Sequence, residues 1–129
     1  GNFVRTMLNL AGQRDEITVV KDQFGTPTSA LELARMILYI ISAGEYGIYH
    51  ATCEGSTSWY EFACEIFRLA GKKVKVIPIT TDQYPTPAKR PAYSVLENAR
   101  LNQMGSYRMK EWKEALKEYM NQMGYTYQV

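Results

Sequence analysis

EITVVKDQFGTPTSALELARMILYIISAG, residues 16 to 44, reads as a strand, a turn and a helix in succession. EITVVK (16–21) is short and rich in β-branched residues, which suits a strand. DQFGTPT (22–28) carries Gly25 and Pro27 and reads as a connector. Ser29 then opens a helix. With Glu32 it forms a capping box: the serine oxygen accepts the N–H of Glu32, and the glutamate reaches back. The helix runs to about Ala43 and stops at Gly44. Its only charges are Glu32 and Arg35, and Leu31, Leu33, Ile37, Leu38, Ile40 and Ile41 are spread around it. A helix so apolar on most sides is expected to be largely buried.

The same alternation continues in both directions. Upstream, NFVRTMLNLA (2–11) sets Phe3, Met7, Leu10 and Ala11 at helical spacing before Gly12. Downstream, GIYHAT (47–52) reads as a strand. Ser58 and Glu61 form a second capping box, heading a helix whose apolar face is Trp59, Phe62, Ala63, Ile66, Leu69 and Ala70, closed by Gly71. KVKVIPI (73–79) alternates and predicts a half-buried strand. Residues 80 to 92 hold three prolines and no periodicity, hence a loop, and SVLEN (94–98) reads as a short strand or turn. A last helix is predicted over about 107–123. Met109, Trp112, Leu116, Tyr119 and Met123 form its apolar stripe, and Lys110, Glu114 and Lys117 lie three and four apart on its exposed side. No repeat or internal boundary interrupts this pattern. The reading is one α/β unit.

Composition narrows the function classes. The 129 residues include 15 basic and 13 acidic ones, a net charge of +2, without the basic footprint of a nucleic-acid binder. A hydrophobic fraction of 46% argues against disorder. No apolar run approaches the roughly 18 residues of a membrane span, the longest being about Met36 to Ala43. Two cysteines are no disulfide framework and fit a reducing, cytoplasmic setting. Cys64 falls in a helical apolar pattern and reads as core, whereas Cys53, beside Glu54 and Gly55, reads as a partly exposed turn residue. A single histidine argues against a closed zinc site.

The residues offer little catalytic chemistry. There is no G-x-G-x-x-G, no Walker loop, no H-E-x-x-H and no G-x-S-x-G. His50 follows Tyr49 in the expected strand and reads as structural, and the aromatic group Trp59, Tyr60 and Phe62 reads as core. Two loops draw more interest. Lys89 and Arg90 precede Pro91, which holds the chain extended, and arginine presents a planar fork suited to phosphate or carboxylate. The 22–28 turn offers Asp22, Gln23 and Thr28, although turn chemistry alone also explains those residue types.

Three separated segments carry a resemblance. VVKDQFGTPTSALELA, GIYHATCEGSTSWYEFACEIF and AKRPAYSVLENARL are similar, in order and spacing, to the C-terminal part of the dTDP-4-dehydrorhamnose reductase family. That family lies within the extended short-chain dehydrogenase/reductase superfamily, and the similarity runs from about Asn2 to the last helix. The resemblance implies the C-terminal half of an extended short-chain dehydrogenase/reductase, residues 1–129 being its sugar-nucleotide-binding portion. It implies an activity for the longer enzyme: reduction of dTDP-4-dehydro-L-rhamnose to dTDP-L-rhamnose with NADPH or NADH, in the making of dTDP-rhamnose.

The family's glycine-rich dinucleotide motif and its Y-x-x-x-K pair precede the matched region. Neither occurs here; the fourth residue after Tyr107 is Glu111. The chain alone is therefore expected to be inactive, with no catalytic or cofactor-binding residue of its own. Carried over position by position, the resemblance implies that Arg90 contacts the substrate diphosphate, with Asn2, Gln23, Thr28 and Ser94 as further substrate-side residues. Family members also dimerise around magnesium, though no ligands for it can be assigned here. The apolar helix from Ala30 to Ala43 is expected to pack partly on the dinucleotide half and, without it, to drive self-association. Two other readings stay open: a reductase-like regulatory subunit without catalysis, and a binding or interaction domain unrelated to sugars. Titration with dTDP separates the last of these.

Overall fold

The computed structural model describes residues 1–125. Asn2 caps the first helix, α1 (Phe3–Ala11), its side-chain oxygen accepting the N–H of Arg5. Strand β1 (Glu16–Val20) follows, then the two-residue strand β2 (Phe24–Gly25), helix α2 (Ala30–Ala43), strand β3 (Thr57–Ser58) and helix α3 (Trp59–Ala70). Strand β4 (Lys75–Ile79) pairs parallel with β1, Ile17 opposite Val76 and Val19 opposite Pro78. Among the described residues this sheet has two strands, so each is an edge, which is where a proline without an N–H is tolerated. A single 3₁₀ turn (Thr81–Gln83), helix α4 (Ala99–Met104) and helix α5 (Trp112–Gln122) complete the described elements.

Helix α3 is the centre of the packing. Phe62, Ala63, Ile66, Phe67 and Leu69 are buried against β1, α1 and α5. The Phe62 ring meets Trp112 edge-on at 5.9 Å, and Ile66 and Met120 are fully enclosed. A smaller cluster gathers Met36 of α2, Leu101 of α4 and Met109, with Tyr39 stacked on Tyr107 at 5.7 Å.

The predicted α/β alternation is present, and six local expectations are corrected. First, α2 is not largely buried. Only Glu32 and Met36 are, while Leu38 and Ile41 are 67% and 70% exposed, because no other described element packs on that side. Second, both capping serines accept their backbone N–H, but neither glutamate reaches back. Glu32 instead accepts from the Tyr107 hydroxyl (2.8 Å) and the Lys110 N–H (3.2 Å), and Glu61 accepts from Thr57.

Third, GIYHAT forms no strand. Its backbone is held by side chains: Asn98 accepts from the Thr52 N–H (3.0 Å) and donates to its carbonyl (2.7 Å), and Arg100 donates to the Tyr46 carbonyl (2.7 Å). Arg100 also lies over the Tyr49 ring, and at Gly47, with φ +144°, a Cβ would run into its guanidinium. Exposed His50 sits in this irregular stretch.

Fourth, the last helix starts at Trp112. Residues 107–111 are irregular, so Met109 belongs to the smaller cluster, and Lys110 pairs with Glu118 (2.7 Å). Fifth, Trp59 is 44% exposed and is not core. Sixth, the cysteines exchange roles. Cys53 is buried, its thiol pushed up by desolvation, while Cys64 is half-buried; both are free. Helix α4 lies between the 94–98 segment and the last predicted helix and was not anticipated.

One ionic network ties α2 to α5. Glu118 accepts from Arg35 (3.0 Å) and Lys110 (2.7 Å), and these two cations hold its carboxyl at about 2. Burial and the Glu32 carboxylate raise the Tyr107 hydroxyl above the ordinary phenol range.

Candidate functional site

Three loops meet through backbone bonds around β2. Phe24 pairs antiparallel with Ser58 on one side. On the other, its N–H donates to the Ala92 carbonyl (2.8 Å), and its carbonyl accepts from the Ser94 N–H (2.9 Å). The segment around residues 92–94 thus forms a third extended member of this small patch. A Cβ on Gly25 would sit 3.0 Å from the Ser94 hydroxyl oxygen, so a larger residue there would have to displace that hydroxyl by a few tenths of an ångström.

The patch borders a cleft of about 750 Å³. Asn2, Gln23, Thr28, Arg90 and Ser94 all line it, so residues 2 to 94 of the chain bring the five sequence-predicted positions to one place. Asp22 and Lys89 are not among its lining residues. Asp22 instead accepts from the N–H (3.1 Å) and hydroxyl (2.7 Å) of Thr81, bonds that hold its carboxyl below its ordinary range and tie the 22–28 turn to the loop after β4.

The five lining residues differ in what they leave available. Asn2 caps α1 and donates to the Tyr119 hydroxyl (2.9 Å). Thr28 accepts from the Cys53 N–H (3.2 Å) and donates to the Thr26 carbonyl (3.3 Å). The Ser94 hydroxyl donates to the Phe24 carbonyl (3.2 Å), and the Gln23 amide donates to Thr81 (3.3 Å), leaving its oxygen open. Arg90 differs from all of these. It is exposed at the cleft and has no hydrogen-bond or ionic partner among the described residues. A guanidinium so placed offers five donors to an anionic ligand.

The remaining wall is aromatic. Phe3 stacks on Phe62 at 5.2 Å and lies 4.8 Å from Trp59, all three lining the cleft. Sequence reading missed Trp59 as a site residue because helical spacing groups it with Phe62 and Ile66. Its position as the first residue of α3, directly after β3, was the available signal.

The nicotinamide cofactor implied by the resemblance does not fit on these residues. No glycine-rich turn is present to take a dinucleotide pyrophosphate. Among the described residues, no three His, Cys, Asp or Glu side chains converge as a metal site would require.

Comparison with known proteins agrees with the geometry. The RmlD substrate binding domain family matches residues 1–125. A dTDP-4-dehydrorhamnose reductase of Aggregatibacter actinomycetemcomitans is 44% identical over 128 residues, covering 90% of this chain and 44% of that protein. The crystal structure of a dTDP-4-dehydrorhamnose reductase from Clostridium acetobutylicum superposes with a TM-score of 0.93 at 53% identity, over 96% of this chain and 44% of the other. The Bacillus anthracis dTDP-4-dehydrorhamnose reductase in complex with NADP gives a TM-score of 0.89 at 41% identity, over 95% and 43%. The chain therefore spans less than half the length of these relatives. With three loops gathered on one cleft and a family match over nearly all of its length, the chain belongs to the RmlD substrate binding domain family.

Proposed function

We propose that residues 1–129 form the sugar-nucleotide-binding portion of a dTDP-4-dehydrorhamnose reductase, the enzyme that reduces dTDP-4-dehydro-L-rhamnose to dTDP-L-rhamnose. The observation that carries this reading is the convergence on one cleft of Asn2, Gln23, Thr28, Ser94 and Arg90, the last without a partner among the described residues. Arg90 takes the substrate diphosphate through charge-assisted hydrogen bonds. Thr28 and Asn2, already bonded within the protein, hold the loops and the α1 terminus in place. The hydride comes from NADPH or NADH on the dinucleotide half of a longer reductase. Proton transfer to the developing alkoxide needs the Y-x-x-x-K pair, which this chain does not contain. This chain binds and orients; alone it does not reduce.

Titration with dTDP tests the reading. Arg90→Ala is expected to lower dTDP affinity by about 10- to 100-fold, the worth of a hydrogen bond to a charged group. Wild-type binding is expected to weaken as salt is raised, since the guanidinium is exposed. Equal affinities for the variant and the wild type would remove Arg90 from the diphosphate site.

The exposed face of α2 supports a second part of this reading. Leu38 and Ile41 of this helix, and Tyr46 and Ile48 just beyond it, are large apolar side chains left exposed. This face is the surface for the dinucleotide half, and in that half's absence copies of this chain associate through it. Sedimentation of the isolated chain should give a mass that rises with concentration, and Leu38→Lys with Ile41→Lys should return it to monomer. A wild-type monomer at every concentration would count against association. A cytoplasmic setting is part of this reading, and two cysteines left as free thiols are compatible with it.

A further inference from the structure

We infer that Trp59 is the platform on which the base of a bound nucleotide stacks, an assignment that rests on the cleft reading above. Trp59 is 44% exposed, while of the rings beside it Phe62 is buried and Phe3 half-buried. Phe3 lies 4.8 Å from it at 49° and Phe62 lies 6.5 Å from it at 44°, so the indole is braced from within the protein while part of its surface stays open at the cleft. An aromatic plane held this way is organised before ligand arrives, and little ordering cost remains for stacking. Phe24, 40% exposed, adds a second apolar surface to the same cleft.

The spacing of the patch fits a nucleotide. Trp59 follows directly from β3, β2 lies beside β3, and the 92–94 segment that follows Arg90 and Pro91 lies beside β2. Neighbouring extended segments stand about 4.8 Å apart, so the outer borders of the patch are roughly 10 Å apart. That is the scale of a nucleotide from its base to its diphosphate. The aromatic plane belongs to one border and the Arg90 guanidinium to the segment leading into the other. Base stacking on an aromatic residue is tolerant of base identity, so Trp59 supplies affinity for the nucleoside, and discrimination among bases falls to polar groups such as the open Gln23 oxygen.

Calorimetric titration of dTDP and of inorganic pyrophosphate into the wild type, Trp59→Ala and Trp59→Phe tests the assignment. Trp59→Ala is expected to weaken dTDP about tenfold and leave pyrophosphate unchanged, and Trp59→Phe to restore most of the dTDP affinity. Trp59→Ala binding dTDP like the wild type would overturn the platform while leaving the cleft reading intact. So would an equal loss of both ligands, or a Trp59→Phe variant as weak as Trp59→Ala. A wild-type chain that binds no dTDP would overturn both.

Discussion

Glu32→Ala is expected to destabilise the folded chain by about 2–3 kcal/mol, the cost of leaving half-buried donors without their buried charged acceptor. Glu32 is fully buried, and its carboxylate accepts from the Tyr107 hydroxyl and the Lys110 N–H. Arg35 also reaches it at 3.5 Å, but that guanidinium is 42% exposed and contributes little. With alanine there, both half-buried donors lose their shared acceptor. The side-chain volume is lost as well, next to Met36 and its neighbours. Glu32→Gln keeps an acceptor and the volume and should lose less than half as much. Urea denaturation of the three proteins checks this. An alanine variant within about 0.5 kcal/mol of the wild type would mean that water or a rearranged loop satisfies those donors.

Asn98→Ala should cost about 2–3 kcal/mol by the same logic. Asn98 is buried and makes three bonds: it accepts from the Thr52 N–H, donates to the Thr52 carbonyl and donates to Glu54. It stands in for a neighbouring strand, satisfying both backbone groups of Thr52. Asn98→Asp offers no remedy, because a carboxylate could still accept from Thr52 but would face the Thr52 carbonyl and the Glu54 carboxylate. Hydrogen exchange at the Thr52 amide gives the local readout, and its protection should fall in both variants. Unchanged protection would show that other groups hold the 50–54 segment.

These two residues also mark where local reading stopped. Ser29 and Ser58 were recognisable as caps because a cap is set by residue type and spacing within four positions, and both accept the expected N–H. The destination of the paired glutamates is not local. Glu32 turned toward residues 75 and 78 positions away, where burying a charge requires donors that only packing could supply. GIYHAT has the composition of a strand, but strand composition describes a residue's fit to a pleated surface. The surface beside it is α4, with Asn98 at its N-cap and Arg100 in its first turn, and not a strand edge.

By itself the sequence determined the alternating α/β order, the caps and glycine stops of α2 and α3, and, through three spaced segments, the family. Those features depend on periodicity, backbone conformation and residue order, all carried along the chain. Tertiary structure alone decided which apolar positions are enclosed. Trp59 and Ile66 share a helical stripe, yet Ile66 lies at the centre of α3 under α1 and α5, while Trp59 begins the helix and opens on the cleft. It also decided that Arg90, unlike the other four lining residues, keeps its donors free of any described partner, because a side chain's available bonds depend on which atoms the fold brings within reach.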